Sequence, residues 1–172
     1  MDREAKNNKN EISENGDQKK RHNAEIRERN ERVKQWLWRY REAKKDVRRL
    51  EEELHELIES QESCGAIEYS DMPKGGCNHS DLSDYMIKRE KIWRKIHKAR
   101  YKRIVVFQEI KNAIDRLPSA DEREVMSYRY LRLMSWEKIC VKIEKSWKSV
   151  VFDIHGRALR NMKIPEDFLK SK

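Results

Sequence analysis

The side chains with metal-binding chemistry that lie nearest one another are Cys64, Cys77 and His79. Their spacing, Cys-x12-Cys-x-His, has no paired Cys-x2-Cys and no clear fourth ligand, so free thiols in a loop fit better than a zinc site. His22, His55, His97 and His155 fall in no nucleophile pattern and in no His-Glu-x-x-His motif. Gly75-Gly76 is not followed by Lys-Ser or Lys-Thr, so there is no phosphate-binding glycine loop. No catalytic constellation is legible, and the chain reads as a protein that is not an enzyme and carries no cofactor or metal. What remains is the basic and aromatic chemistry of the closing third. It suits contact with phosphates and base edges, not bond making.

Those side chains need helices to hold them, and three helix starts can be read between Leu117 and Met162. Ser119 with Glu122 three residues on forms a capping box: the hydroxyl takes an orphan backbone N–H and the carboxylate reaches back to the cap. Ser135 precedes Trp136-Glu137-Lys138 in the same way, with an acid where the helix dipole favours it. Ser146 opens the third helix. Ile139, Ile143, Val150 or Val151, Ile154 and Ala158 supply the apolar side of two short helices joined by a tight turn. This is the helix-turn-helix plan, whose second helix is shaped for a DNA major groove.

At these residues the chain resembles a known family. Leu117-Pro118, Glu122-Arg123-Glu124-Val125, Arg129-Tyr130-Leu131, Ser135-Trp136-Glu137 with Ile139, Ser146 with Val150, and Arg157-Ala158-Leu159 look like the last conserved region of bacterial RNA polymerase sigma factors, which reads the −35 promoter element. Ile154-His155-Gly156-Arg157-Ala158-Leu159 is similar to phage-encoded, sigma-like regulators of the RinA and ArpU kind, and Met72-Pro73 with Gly75 followed by Ser80-Asp81 extends that likeness upstream. The resemblance implies that Trp147, Lys148, Ser149 and Phe152 lie at the groove, with Asp153 if the register slips. It implies also that Ser146 caps the reading helix, that Lys145 in the turn meets phosphate, and that His155 and Arg157 touch the DNA backbone farther along. Trp147 keeps a second reading as a core staple over Val151, and Phe152 a second reading as a buried residue. In one respect the chain departs from the sigma pattern: Ile154 stands eight residues after Ser146, not seven, so one extra residue must be absorbed in the turn or the helix start.

The charge distribution agrees with a polyanionic partner. Residues 1–62 hold 16 basic and 16 acidic side chains, residues 63–119 hold 12 and 7, and residues 120–172 hold 12 and 8. The net charge of +9 therefore sits wholly beyond residue 62, and attraction to phosphate follows. No apolar run approaches the roughly 18 residues needed to span a membrane, and the polar N-terminus has no signal-peptide core. A location in the cytoplasm of a bacterial host is expected. Three cysteines suit its reducing conditions.

Upstream, the sequence predicts long helices. With 41% charged and 37% hydrophobic residues, one round globule is excluded, whereas exposed helices with one small domain are compatible. Residues 1–25 read as a disordered or fraying arm, since Ile12 is almost their only large apolar group. Val33, Trp36, Tyr40, Ala43, Val47, Leu50, Leu54 and Leu57 step alternately by three and four, a heptad seam. Trp36 is assigned to the core and Trp38 to the rim. Residues 63–80 are rich in turn formers and form a loop. Ile92, Ile96, Ala99, Arg103, Val106, Ile110, Ala113 and Leu117 make a second seam, which Pro118 ends. Nine basic residues and one acid lie between Lys88 and Arg103, either as a solvated face or as a contact for phosphate or an acidic polymerase surface.

The expected fold is therefore all-α. A long antiparallel helical hairpin over 26–117 leads into a three-helix, sigma-like domain over 118–163, with a tail over 164–172 in which Phe168-Leu169 tuck onto the domain. The resemblance implies a sequence-specific, double-stranded-DNA-binding transcription regulator, a phage or prophage activator working with host RNA polymerase as a homo-oligomer. The alternatives are a DNA-recognition protein of the small-terminase type and an anti-sigma-like helical interaction protein.

Overall fold

A computed structural model describes the backbone of residues 2–64, 79–166 and 168, and the side chains of residues 18–61, 82–166 and 168. The protein is all-α: every regular element among the described residues is helical. Helix α1 runs Asp2–Cys64 and α2 runs His79–Asp115. Three shorter helices follow: α3 at Ala120–Met126, α4 at Trp136–Ile143 and α5 at His155–Asn161. A π-helical turn, Ser127–Leu131, prolongs α3, and another, Ser149–Ile154, leads into α5.

The disordered arm expected at 1–25 is helical from Asp2 onward. That segment has no proline and a single glycine, Gly16. Once the packed part of α1 has formed a nucleus, each further residue adds a hydrogen bond at little cost, so polar helix formers extend the rod. The turn-forming residues 65–78 and the Leu169 tail contact lie outside the described residues.

Two compact units divide the chain, residues 39–109 and residues 1–38 with 110–172. The division is not at Pro118, as the sequence suggests, because the ends of both long helices belong with the short ones.

In the unit 39–109 the two long helices run antiparallel. Arg39 pairs with Glu109 at 2.7 Å and Arg100 with Glu51 at 2.6 Å, while the rings of Tyr40 and Phe107 lie 5.3 Å apart. Rising numbers on one helix meet falling numbers on the other. Ala43, Val47, Ile92, Ile96 and Val106 are buried between them, which are seam positions read from the sequence. Toward the far end Leu50, Leu54 and Leu57 are only half-buried.

The other unit holds the larger core. Trp36 and Leu37 of α1, Ile110, Ala113 and Ile114 of α2, and Leu117 just beyond it are all buried, as are Met126, Tyr130, Leu159 and Met162. Trp36 is 2% exposed; Trp38 is half-buried and meets the Tyr130 ring edge-on at 5.0 Å. The guanidinium of Arg29 donates to the carbonyls of Leu159, Arg160 and Met162 at 3.4, 3.2 and 3.0 Å. A cation on the orphan carbonyls of a helix end is favourable both as hydrogen bonding and against the helix dipole. Arg29 thereby locks the end of α5 to α1.

Candidate nucleic-acid interface

The short helices share a cluster of Val125, Tyr128, Ile139, Val150 and Ile154, with Met134, Trp136, Cys140 and Ile143 packed around it. Of the two valines left open by the sequence, Val150 is the core residue and Val151 is half-buried. The Ser135 hydroxyl accepts from the backbone N–H of Lys138 at 3.5 Å, capping α4. Glu144 ends α4 in the left-handed conformation, φ 55° and ψ 37°, and so turns the chain sharply toward the next helix. A glutamate there bears a Cβ penalty that glycine lacks. Glu144→Gly is expected to raise stability by about 0.5–1 kcal/mol, read as a higher denaturant midpoint.

Ser146 opens that next helix. Its hydroxyl accepts from the N–H of Ser149 at 3.3 Å, and the chain is helical from Trp147 to Asn161. A π-helical turn at Ser149–Ile154 takes up one residue more than an α-helical turn would, without breaking the helix. Val150 and Ile154, within the turn, are both buried, at 0% and 3% exposure, as are the downstream Ala158 and Leu159.

The opposite side of this helix is open. Trp147 is 49% exposed and Phe152 is 60% exposed, with their rings edge-to-face at 5.4 Å. Lys148 and Asp153 are exposed beside them, and Ser149 is half-buried. Trp147 is therefore no staple over Val151, and Phe152 no core residue. An exposed aromatic pair next to an ammonium group, at the start of a helix whose other side is fixed, can press on base methyls and donate to phosphates or base acceptors. A groove on one flank, lined by Arg27, Glu31 and Lys34 of α1 and by Arg129 with Phe152 and Gly156, brings three further cations and one acid near this face.

Three expected contact residues are engaged elsewhere. The Lys145 ammonium is ion-paired with Asp121 and ties the turn to the start of α3. The Arg157 Nε donates to Glu122 at 2.7 Å, leaving the guanidinium half exposed. His155 is buried at 6% exposure and cannot reach a DNA backbone. Its Nε2 lies 2.9 Å from the Tyr130 hydroxyl, and the Trp136 ring stands against it at 4.9 Å. The reason is register: beyond the π-helical turn, position 155 faces α1 and the Ser127–Leu131 turn.

The capping box at Ser119 also fails. Ser119 makes no side-chain cap bond, and Glu122 turns inward to 1% exposure. There it accepts from Arg157 and from Asn161 Nδ2 at 3.2 and 3.4 Å. Arg129 has its guanidinium over the rings of Trp136 and Trp38 at 4.6 and 5.2 Å, and donates to the Met134 carbonyl at 2.9 Å. Sequence reasoning missed this cation–aromatic stack, the Arg29 clamp and the Glu122 centre, because each joins residues far apart along the chain.

Among the described residues no group of His, Cys, Asp and Glu is placed to hold a metal ion, and no helix is long and apolar enough to cross a membrane. The side chains of Cys64, Cys77 and His79 lie outside the described residues. Comparison with protein-family models, with curated proteins and with solved structures gives no match.

Proposed function

We propose that this protein is a sequence-specific DNA-binding transcription regulator that lays the helix Trp147–Asn161 into the major groove of duplex DNA. The observation that supports this most is the division of that helix. Val150, Ile154, Ala158 and Leu159 are buried, while Trp147, Lys148, Phe152 and Asp153 face outward at its first turns. Those turns are the part of a recognition helix that meets base edges. The net charge of +4 over residues 120–172 supports attraction to phosphate. Together with the likeness to sigma-type and RinA- or ArpU-type regulators, this gives a promoter-binding protein that works with the RNA polymerase of a bacterial host, in its cytoplasm. Ser146 and Lys145 then hold the reading helix in place more than they touch DNA. Trp147, Lys148 and Phe152 carry the contacts.

The test begins with duplexes selected from genomic DNA on the full chain, followed by anisotropy on the selected sequence and on a scrambled one. Lys148→Ala is expected to weaken the selected complex by about 1–3 kcal/mol and the scrambled one less. Equal losses on both would make Lys148 a phosphate contact. Affinity should fall steeply as salt rises from low to moderate concentration. A chain that retains no duplex at low salt ends the proposal.

A further inference from the structure

In the unit 39–109, α2 buries one side against α1 and, among the described residues, leaves a second apolar side exposed. Leu82, Met86, Trp93, Tyr101 and Ile104 are 55%, 46%, 51%, 71% and 59% exposed. At about 100° per residue they fall on one stripe, roughly a third of a turn from the buried Ile92–Ile96 seam. The stripe runs 23 residues, Leu82 to Ile104, roughly 33 Å at about 1.5 Å of rise per residue. The remaining third of the helix surface is basic, carrying Lys91, Lys95, Lys98 and Lys102. An exposed apolar stripe of this length, interrupted by Glu90, His97 and Arg100, on a chain with 41% charged residues, marks an interaction site. The Trp93 indole is held against His97, ring centres 3.9 Å apart, so the largest side chain of the stripe is already partly ordered.

Charge decides among occupants. Nine basic residues and one acid lie between Lys88 and Arg103. A second α2 laid on this stripe would bring two basic arcs together, and like charges along a helix pair repel. Phosphate alone would need the basic arc but not the apolar stripe. We infer that the outer face of α2 docks a helix of another protein, about six turns long, with an apolar seam bordered by aspartate and glutamate. Trp93 and Tyr101 are its central anchors, and the lysine arc selects the acidic border. The lysines set the rate and salt dependence of association, and the aromatic anchors set the lifetime. The surface belongs to the unit 39–109, and the inference does not rest on DNA binding.

The probe is a displayed library of helical peptides with a fixed leucine seam and randomised flanking positions, selected on the full chain. Enrichment of Asp and Glu at the flanks is expected. A synthetic copy of a selected peptide should bind the full chain, weaken with salt, and lose about tenfold or more in affinity on Trp93→Glu. Charge reversal at Lys95 and Lys98 should give a similar loss. Both sites are exposed, so unchanged thermal unfolding verifies that the variants fold. The inference is overturned if no peptides enrich, if the flanks enrich Lys, Arg or neutral residues, or if binding survives Trp93→Glu. It is overturned equally if the protein alone sediments as a dimer that Trp93→Glu dissociates, or if Trp93 inserts into anionic phospholipid vesicles while no peptide binds.

Discussion

Arg157→Met will lower the stability of the unit that carries the short helices by roughly 3 kcal/mol, the cost of leaving a buried charge without its partner. Glu122 is 1% exposed and its Oε1 accepts from Arg157 Nε at 2.7 Å. Without that donor the carboxylate keeps only the amide of Asn161, a longer and neutral contact at 3.2 and 3.4 Å. The two partners are not equivalent. Arg157 is 52% exposed along its side chain, so water can receive the guanidinium when Glu122 is removed, whereas the Glu122 carboxylate is 1% exposed and loses a charged donor when Arg157 is removed. Glu122→Leu should therefore cost less than Arg157→Met. The double variant Glu122→Leu/Arg157→Met should recover most of the loss, because the buried charge is gone from both sides. Denaturant unfolding of the four proteins measures this, and a double variant no more stable than Arg157→Met would show that the pair is not the cause. The same set separates structure from recognition. If Arg157 also contacts phosphate, the double variant regains stability but not DNA affinity.

This centre shows why parts of the protein were legible and others were not. Seam residues announce themselves by spacing, and Trp36, Ala43, Val47, Ile92, Ile96 and Ile110 are buried where a repeat of three and four puts them. Caps at Ser135 and Ser146 are local too, and both form. Glu122 carries the same local signal as a capping-box acid, but α3 lies against the helix that bears Arg157 and Asn161. A charged hydrogen bond in the interior outweighed one at the surface. His155 misled for a similar reason: its type suits a backbone contact, and only the packing of the helix against Tyr130 and Trp136 shows that it is inside. Partners 25 to 39 residues away in sequence leave no periodic trace.

The two π-helical turns carry a further lesson in register. Each sits where a helix must satisfy two sets of neighbours. Ser127–Leu131 buries Tyr128 and Tyr130, so that Tyr128 joins the cluster with Ile139 and Val150 while Tyr130 turns to Trp38 and His155. Ser149–Ile154 does the same for Val150 and Ile154. A count of residues from a cap does not say whether the helix that follows will take up a π-helical turn. In the fold the π-helical turn lies within the helix, at Ser149–Ile154, with Val150 and Ile154 both buried.

Lower stability in acid is expected from the buried His155 centre. Burial, with the charges of Lys34 and Arg129 next in effect, pulls the His155 imidazole from 6.5 down to about 4, against which Glu31 and a hydrogen bond to the Val151 carbonyl act in the opposite direction. With one ring nitrogen donating to that carbonyl, Nε2 is left to accept from the Tyr130 hydroxyl at 2.9 Å. The neutral ring is thus satisfied at both ends, and burial likewise raises the Tyr130 phenol, so that it stays protonated as a donor. Because the folded ring resists protonation, the unfolded chain binds more protons between these two values. Stability is then full above about 6.5, falls as pH drops toward 4, and levels off below it. The loss across that window is expected to be about 3 kcal/mol. Denaturant midpoints measured from pH 7 to pH 4 should trace it. His155→Leu/Tyr130→Phe, which removes the titrating ring and the hydroxyl that would lose its acceptor, should flatten the curve in the same window. A slope that persists in that variant would assign the acid sensitivity to groups other than His155.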